Sequence, residues 1–233
     1  MQKIQDDILS YREMCDAENA TLQRGMNYRL NPKYSVILMS QRNNAPYQDR
    51  IYDDGITIEY EGHDVNRKGY LHNPKDYDQI AKLPSGTLTQ NGKFVQAVIN
   101  FKDHKRKAEL VKVYEKIIDG VWSLKGIFEL VDFKVVNDEK RNVYRFILKL
   151  TNITSFDNEK LTQIEISHTR IIPSEVKKEV WKRDSGKCVV CGESSNLHFD
   201  HELPFSKGGT SLTAKNVQLL CMKHNLQKSA KIE

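Results

Sequence analysis

The feature that most constrains the fold of this chain is a set of four metal-ligand residues near its C-terminal end. Cys188 and Cys191 are separated by two residues, and Cys221 and His224 repeat that spacing further along the chain. Two such pairs supply the ligands of a tetrahedral Zn²⁺ site, and a metal stabilises a segment too short to form a large core. The alternative is a chance pair of buried or redox-active cysteines. Because all four coordination positions are filled, the spacing predicts a structural zinc ion.

The composition is that of a globular protein. Hydrophobic residues make up 39% and charged residues 29% of the 233 residues, so the chain holds one large domain or a medium-sized domain with a small one. The first residues, MQKIQDDILSYREM, carry charges throughout and lack an apolar signal region. No stretch reaches the ~18 uninterrupted apolar residues that a membrane span requires. We therefore expect a cytoplasmic protein with no membrane partner.

Positive charge is concentrated in the C-terminal part. From Arg170 onward there are 11 Lys or Arg residues against 7 Asp or Glu, whereas the first 169 residues hold 25 against 24. This excess favours contact with the phosphate backbone of a nucleic acid.

Hydrophobic periodicity predicts an α+β chain with a curved β-sheet or barrel and flanking helices. Residues 3–28 are compatible with a helix, and β-rich runs follow at 34–40 and 56–62. Three more β-type stretches, ELVKVYEKI, GVWSLKGIFELVDFKVV and RNVYRFILKL, are separated by an Asp-Gly turn and by NDEK. That succession is typical of an antiparallel meander.

Two further segments are candidate helices. The stretch 91–102 opens with an Asn-Gly turn and is compatible with a short helix. The stretch 173–186 begins with proline and ends at glycine, which predicts a helix with Val176, Val180 and Trp181 facing inward.

The stretch LHFDHELPFSKGG places Asp200 beside His201, between the two ligand pairs. The order C-x-x-C, LHFDHELPFSKGG and NVQLLCMKHNLQK resembles the HNH nuclease family over about residues 173–231. The resemblance implies a small zinc-stabilised ββα-metal domain. It implies that His201 is the general base that activates water, that Asp200 holds a divalent cation, and that Asn216 orients the loop that carries His201.

Two positions depart from the common family pattern. The third family position, often a histidine, falls on Asn225, whose side chain still offers an oxygen to a metal. His224 stands where many members have a cysteine as the last zinc ligand. The resemblance therefore implies Cys188, Cys191, Cys221 and His224 as structural zinc ligands, with Asp200 and Asn225 as catalytic metal ligands.

The chemistry of phosphodiester hydrolysis suits these residue types. A hard cation such as Mg²⁺, or Mn²⁺ in its place, prefers oxygen ligands, and a neutral imidazole near pH 7 accepts a proton from water. A histidine that is merely hydrogen-bonded by its neighbours is the alternative for His201. Lys207, Gly208 and Gly209 are interpreted as a turn with a phosphate contact.

The N-terminal part carries a second resemblance. NNAPYQDRIYDDGITIEYEGHD (43–64), followed by DYDQ, LTQNGKF, LVKVYEK and GVWSLKGIFELVDFKVVNDEKRNVYRFILKL, resembles the SRA (YDG) domain over about residues 30–152. Such domains extrude a modified cytosine and hold it between aromatic rings. The resemblance implies that Tyr47 and Tyr60 are the stacking pair and that Asp49 contacts the polar edge of the base. Tyrosines that pack in an ordinary core are the alternative.

Together these resemblances predict four regions, which are an N-terminal helical segment (1–29), an SRA-like domain (30–152), a linker (153–172) and an HNH nuclease domain (173–233). The implied function is that of a modification-dependent endonuclease. It would act on double-stranded DNA that contains modified cytosine, and as a homodimer, because one active site cuts one strand. Two alternatives remain. One is an HNH nuclease whose N-terminal domain recognises a backbone modification or a sequence, and the other is a catalytically silent, zinc-stabilised DNA-binding protein.

Overall fold

A computed structural model describes residues 6–67, 73–151, 171–203 and 209–229 of the chain. These residues form an α+β structure with a large eight-stranded sheet and a separate two-stranded sheet. The strands are β1 (Ile8–Leu9), β2 (Met26–Asn31), β3 (Tyr34–Met39), β4 (Arg50–Ile51), β5 (Thr57–Glu61), β6 (Glu109–Ile118), β7 (Val121–Asn137), β8 (Asn142–Leu150), β9 (Leu197–His201) and β10 (Val217–Cys221). The helices are α1 (Tyr11–Glu18), α2 (Gln90–Lys102), α3 (Ser174–Arg183) and α4 (Met222–Ser229).

The described chain divides into two compact units. The first, which we call the sheet unit, comprises Thr21–Val113 and Ile127–Thr151. The second, which we call the hairpin unit, comprises Met1–Ala20, Tyr114–Gly126 and Asn152–Glu233. The predicted boundaries of the four regions stay predictions, and 152–170, nearly the whole of the proposed linker, lies outside the described residues.

The large sheet confirms the predicted α+β class. Its strands follow the order β2-β3-β6-β7-β8-β5-β4, and β1 pairs separately with β7. The predicted meander corresponds to β6, β7 and β8, with Gly120 in a left-handed conformation (φ 79°) between the first two. In the sheet unit, Phe94 of α2 packs edge-on against Phe146 of β8, with ring centroids 5.6 Å apart, and both side chains are fully buried. Burying an aromatic side chain stabilises a fold by about 1.5–3 kcal/mol.

The helix compatible with residues 3–28 is much shorter in the structure. A capping box at Ser10 and Glu13 begins α1, and Asn19 ends it in the left-handed conformation with φ 48°. The Asn-Gly pair at 91–92 lies within the first turn of α2 rather than before it, because the Thr89 side chain caps the helix. None of the helices in the described ranges is long and apolar enough to span a bilayer.

The hairpin unit has its own small hydrophobic core. Its buried residues come from α3, β9, β10 and the connections between them, and they include two of the predicted metal ligands. Val176 and Val180 face this core as predicted, and Trp181 packs against it while partly buried. The buried members are Ile172, Val176, Val180, Cys188, Leu197, Phe199, Ala214, Val217, Leu219, Leu220 and Cys221.

Charged groups are also buried in the hairpin unit, which the sequence did not indicate. Lys125 and Glu115 form a fully buried ion pair of 2.7 Å, and Lys125 also donates to the Ile172 carbonyl at 2.9 Å. Burial lowers the pKa of Lys125 to about 8, against the attraction of Glu115. Lys177 of α3 is fully buried as well and contacts Asp6 at 2.5 Å. Removing one partner of such a pair leaves an uncompensated buried charge, so these pairs fix the packing of the unit.

Candidate nuclease and base-recognition sites

The hairpin β9–β10 and the helix α4 that follows directly form a ββα arrangement. The two strands are antiparallel, with Asp200 opposite Gln218 and His201 opposite Val217. Side chains alternate along a strand, but Asp200 and His201 are the last two residues of β9, and the Asp200 carboxylate still acts to raise the pKa of His201. Both residues lie at the end of β9 and are partly exposed, so they are accessible without disruption of the core.

His201 is held by a serine. Its Nε2 atom lies 2.8 Å from the Oγ atom of Ser211, whose side chain is buried (1% exposed). Burial lowers the pKa of His201 below its usual value of 6.5, while Asp6 and Asp200 act in the opposite direction. The imidazole is therefore neutral near pH 7, which is the state that a general base requires.

Asn216 connects the two sides of the loop after His201. Its Oδ1 atom accepts from the Leu203 amide at 2.8 Å, and its Nδ2 atom donates to the carbonyls of Leu203 and Thr210, each at 3.0 Å. Only glycine fits at position 209, because a Cβ atom there would lie 1.8 Å from the Leu203 carbonyl oxygen. These contacts hold the ends of the loop together. Lys207 and Gly208, the other residues of the interpreted phosphate turn, lie outside the described residues.

Asp200 lies beside the helix α4. The Lys228 ammonium contacts both the Asp200 carboxylate and the His201 carbonyl oxygen. Asn225 lies three residues before Lys228 in α4, and residues at this spacing share one face of a helix. The structure thus places the two proposed metal ligands on β9 and on the helix that packs beside it.

The four proposed zinc ligands form one cluster. The His224 Nδ1 atom lies 3.5 Å from the Cys188 sulfur and 3.2 Å from the Cys221 sulfur, and the sulfurs of Cys191 and Cys221 lie 3.8 Å apart. All four ligand atoms lie within 4.8 Å of one another. In a tetrahedral zinc site, Zn–S bonds of about 2.3 Å and Zn–N bonds of about 2.0–2.1 Å put ligand atoms roughly 3.5–3.8 Å apart. The Cys₃His cluster therefore fits a metal ion such as zinc.

The electrostatics of Cys188 favour the thiolate that binds metals. Burial raises the pKa of the thiol, but hydrogen bonds from the backbone of Cys221, Cys191 and Val190 oppose it, and the pKa falls to about 6. A thiol with this pKa is largely ionised at pH 7, and the thiolate is the form that coordinates zinc.

The proposed stacking residues lie in different surroundings in the sheet unit. Tyr60 lies within β5, paired with Phe146 of β8, and is 1% exposed. Tyr47 lies before β4, is half-buried, and stacks on His63 with ring centroids 6.1 Å apart and 20° between the planes. The Lys75 ammonium lies 4.8 Å from the centre of the Tyr47 ring. Within the described ranges, Tyr47 and Tyr60 make no ring contact with each other.

The side chain of Asp49 is buried and bound to backbone. Its Oδ2 atom accepts from the Ser40 amide at 3.0 Å and its Oδ1 atom from the Glu61 amide at 3.1 Å. Burial raises the pKa of Asp49 to about 7, although these two hydrogen bonds and the Arg145 guanidinium lower it. The carboxyl group thus sits near half-ionisation at neutral pH, where it is able either to donate or to accept a hydrogen bond.

His63 lies close to both Tyr47 and Tyr60. Its Nε2 atom and the Tyr60 hydroxyl both face Gly25, where a Cβ atom would lie 3.3 Å and 2.9 Å from them. Its backbone is held by Asn91, which accepts from the His63 amide and donates to its carbonyl, each at 2.8 Å. Burial lowers the pKa of His63 to about 4, so the ring is neutral at pH 7.

Sequence patterns did not identify several residues at these sites. Ser211 and Lys228 both touch a proposed site residue, yet each belongs to a type that is common on surfaces. For Lys228 the signal is its place in α4, on the helix face that also carries Asn225. The sequence makes His63, in YEGHD, either a DNA contact or a structural or solvated residue, and its ring stacks on Tyr47.

Comparison with known proteins gives matches only among solved structures. No family model and no curated protein matches the chain. A SUVH5 SRA domain in complex with methylated CHH DNA is similar at 15% identity and a TM-score of 0.45, over 66% of this chain and 92% of that one. KRYPTONITE in complex with mCHG DNA and SAH matches at 19% identity and a TM-score of 0.41, over 67% of this chain and 34% of that one. Arabidopsis thaliana SUVH6 in complex with SAM matches at 19% identity and a TM-score of 0.43, over 76% and 29%.

Proposed function

We propose that this protein is a modification-dependent DNA endonuclease. The sheet unit recognises a modified cytosine of the 5-methyl or 5-hydroxymethyl type, and the hairpin unit hydrolyses the phosphodiester backbone. The observation that carries the proposal is the ββα arrangement of β9, β10 and α4. It combines the accessible residues Asp200 and His201 with an asparagine that holds the adjacent loop and with a Cys₃His cluster.

The hairpin unit has the groups that phosphodiester hydrolysis requires. His201 accepts a proton from the attacking water as a new P–O bond forms and an ester P–O bond breaks. The contact between its Nε2 atom and Ser211 fixes the ring, and Asn216 fixes the loop that begins beside it. A divalent ion, Mg²⁺ or Mn²⁺, held by Asp200 and Asn225 would neutralise charge that develops on the phosphate oxygens.

The Asp200 region suits a hard cation. The Asp200 carboxylate and the His201 carbonyl oxygen converge on one cationic atom, the Lys228 nitrogen. Carboxylate and carbonyl oxygens are the ligands that Mg²⁺ prefers. The zinc that we propose at the Cys₃His cluster has a different role, since four protein ligands leave no position for water or substrate.

The sheet unit supplies the recognition of the base. Base extrusion costs a few kcal/mol, which stacking and hydrogen bonds to the polar edge of the base offset. Tyr47 is the accessible ring, and the Asp49 carboxyl, with its pKa near 7, contacts the base edge. Tyr60 is 1% exposed, so insertion of a base beside it requires the segment that carries Tyr47 and the neighbouring His63 to move.

The test is digestion of one plasmid prepared with unmodified, 5-methylated, 5-hydroxymethylated or glucosylated cytosine. The zinc-loaded protein is supplied with Mg²⁺ or Mn²⁺, and His201→Ala serves as the inactive control. We expect cleavage of at least one modified plasmid and none of the unmodified plasmid. Equal cleavage of all four plasmids would mean that the protein recognises a sequence or a feature of the DNA backbone and not a modified cytosine. Selective binding without cleavage would identify a silent DNA-binding protein.

The proposed nuclease has one active site per chain, which cuts one strand. Cleavage of both strands therefore requires a homodimer or two bound copies. Nicked products at low protein concentration that become linear at high concentration would support this assembly.

A further inference from the structure

Lys228 places a positive charge where the proposed catalytic cation would bind. Its ammonium contacts the Asp200 carboxylate and the His201 carbonyl oxygen, and the side chains of Lys228 and Asp200 are 22% and 23% exposed. Within the described residues, Lys228 is the only partner of the Asp200 carboxylate. The ion pair is thus partly shielded from water, and it occupies Asp200, which is one of the two proposed ligands of the catalytic metal.

An ammonium group and a divalent cation compete for such a position. Both are attracted to the same carboxylate, and they repel each other at short distance. Mg²⁺ also requires oxygen ligands at about 2.0–2.1 Å in near-octahedral geometry, which an ammonium group in contact with the same oxygens obstructs. A bound divalent ion therefore requires the Lys228 side chain to leave Asp200.

We propose that Lys228 closes the Asp200 site in the metal-free protein and is displaced when a divalent ion binds. The inference rests on the proposed nuclease function and adds a residue that controls metal occupancy. Lys228 belongs to α4, the helix that begins beside the Cys₃His cluster, so its long side chain has a fixed point of attachment from which it can swing.

DNA gives the displaced ammonium a new partner. A phosphate near the site attracts both Lys228 and the divalent ion, so the two cations no longer compete for a single anion. The cost of displacing Lys228 is therefore smaller when DNA is bound. As a result, metal binding and DNA binding favour each other, and the free enzyme holds its catalytic ion weakly.

The experiment measures Mn²⁺ affinity directly, by the loss of the free-ion electron paramagnetic resonance signal, with the Cys₃His cluster already loaded with zinc. The full chain is compared with Lys228→Met, which removes the charge but keeps the apolar stem. Lys182→Met is the matched control, because Lys182 is an exposed lysine of the hairpin unit that makes no side-chain contact with Asp200. Asp200→Asn shows which part of the Mn²⁺ binding belongs to this site.

We expect Lys228→Met to bind Mn²⁺ roughly two- to fivefold more tightly than the wild type, the range for loss of a partly exposed ion pair. Lys182→Met should match the wild type, and Asp200→Asn should lose the site. The measurement is then repeated with duplex DNA, with His201→Ala in every protein to prevent cleavage. The difference in Mn²⁺ affinity between the proteins with Lys228→Met and with Lys228 should then be smaller, because the DNA phosphate already holds the Lys228 ammonium away from Asp200.

The outcomes separate the inference from the function on which it rests. Asp200-dependent Mn²⁺ binding that is unchanged or weaker in Lys228→Met would overturn the role of Lys228 and leave the nuclease proposal intact. Absence of Asp200-dependent Mn²⁺ binding in the wild type and in Lys228→Met, with or without DNA, would overturn both.

Discussion

In the hairpin unit the polar side chains of the proposed site lie at the end of a strand, whereas in the sheet unit a key ring lies in the middle of one. Asp200 and His201 end β9 and are partly exposed, while Tyr60 lies within β5 and is 1% exposed. A substrate can reach the end of a strand without disturbing the core. A residue in the middle of a buried strand meets a ligand only after a neighbouring loop has moved. In the proposed function, the hairpin unit therefore needs only the Lys228 side chain to move before a divalent ion binds, whereas the sheet unit has to open to bind a base.

The two units also differ in what stabilises them. The sheet unit buries aromatic and aliphatic side chains between a large sheet and α2, whereas the hairpin unit combines a small core with a Cys₃His cluster and buried ion pairs. A structural metal site contributes folding free energy of its own, in addition to hydrophobic contacts. The first prediction tests this difference.

The largest effect should follow loss of the zinc ion that we propose at the Cys₃His cluster. Cys188→Ser removes one of four ligands, and structural zinc sites contribute about 10–16 kcal/mol of apparent binding free energy at pH 7. We expect loss of bound zinc and of hydrogen-exchange protection in β9 and β10, while amides of β5 and β8 keep their protection. Cys15→Ser is the control, since Cys15 lies in α1 outside the cluster. Unchanged zinc content and unchanged hydrogen-exchange protection in Cys188→Ser would show that the cluster does not stabilise this unit.

The next effect concerns catalysis. His201→Ala should lower the single-turnover cleavage rate by roughly 10²-fold or more, the usual contribution of a general base, and should leave binding to modified DNA intact. The exposed His104 of the sheet unit provides the matched control, His104→Ala. If His201→Ala cleaves at a near-normal rate, the general base is a different residue.

Local spacing predicted the Cys₃His cluster because its four residues form two pairs that are each close in sequence. The four metal ligands occur as two short pairs, and the strand that carries Asp200 and His201 is joined to α4 through one antiparallel partner. The α3 helix, expected within 173–186, covers Ser174–Arg183. Residues that are close in sequence can be brought together in few ways, because a short hairpin and the helix that follows it have few alternative packing partners.

Contacts between residues far apart in the chain could not be predicted from local sequence patterns. Lys177 is fully buried because Asp6, far away in the chain, neutralises it, and nothing in the charge pattern of α3 distinguishes it from an exposed lysine. β1 pairs with β7 through Ile8 and Ser123, a register that no local signal specifies. The burial of Tyr60 has the same origin, because it depends on the pairing of β5 with β8. The fold class followed from local periodicity, whereas the accessibility of each ring depended on this register.

A smaller effect should distinguish the accessible ring from the buried one. Tyr47→Ala should weaken binding to modified duplex by the stacking energy of about 1–3 kcal/mol per base, which is roughly a five- to 150-fold loss. Binding to unmodified DNA should barely change, because it depends on phosphate contacts. Tyr52→Ala is the control, as Tyr52 is an exposed tyrosine of the same unit that bonds to Glu59.

The corresponding change at the buried ring should behave differently. Tyr60→Ala creates a cavity that costs about 3–5 kcal/mol of stability, so it should lower the melting temperature and weaken binding to both DNAs. Tyr60→Phe keeps the ring and isolates the hydroxyl that faces Gly25. If Tyr47→Ala also loses affinity equally for both DNAs and melts at a lower temperature, Tyr47 belongs to the core and does not contact the base.

The smallest effect is a pH dependence of the sheet unit that arises from Asp49. Its pKa is about 7 in the folded state against a usual 3.8, mainly because of burial. A carboxyl group with a raised folded pKa contributes stability that is fully present below the unfolded pKa and is lost as pH rises through the folded pKa. Between pH 8 and pH 6 the folded protein takes up most of a proton that the unfolded chain does not. The free energy of unfolding should therefore rise by about 1.4 kcal/mol in total as the pH falls from 8 to 6.

The measurement compares urea unfolding of the wild type and of Asp49→Asn at several pH values. His63, whose pKa is lowered to about 4 by burial, acts with the opposite sign in the same interval, but it is present in both proteins and cancels in the difference. Asp49→Asn loses stability at every pH because an amide accepts only one of the two backbone hydrogen bonds well. The informative quantity is therefore the slope. A wild-type slope equal to that of Asp49→Asn between pH 8 and pH 6 would mean that Asp49 is already ionised in the folded protein and meets the base only as a hydrogen-bond acceptor.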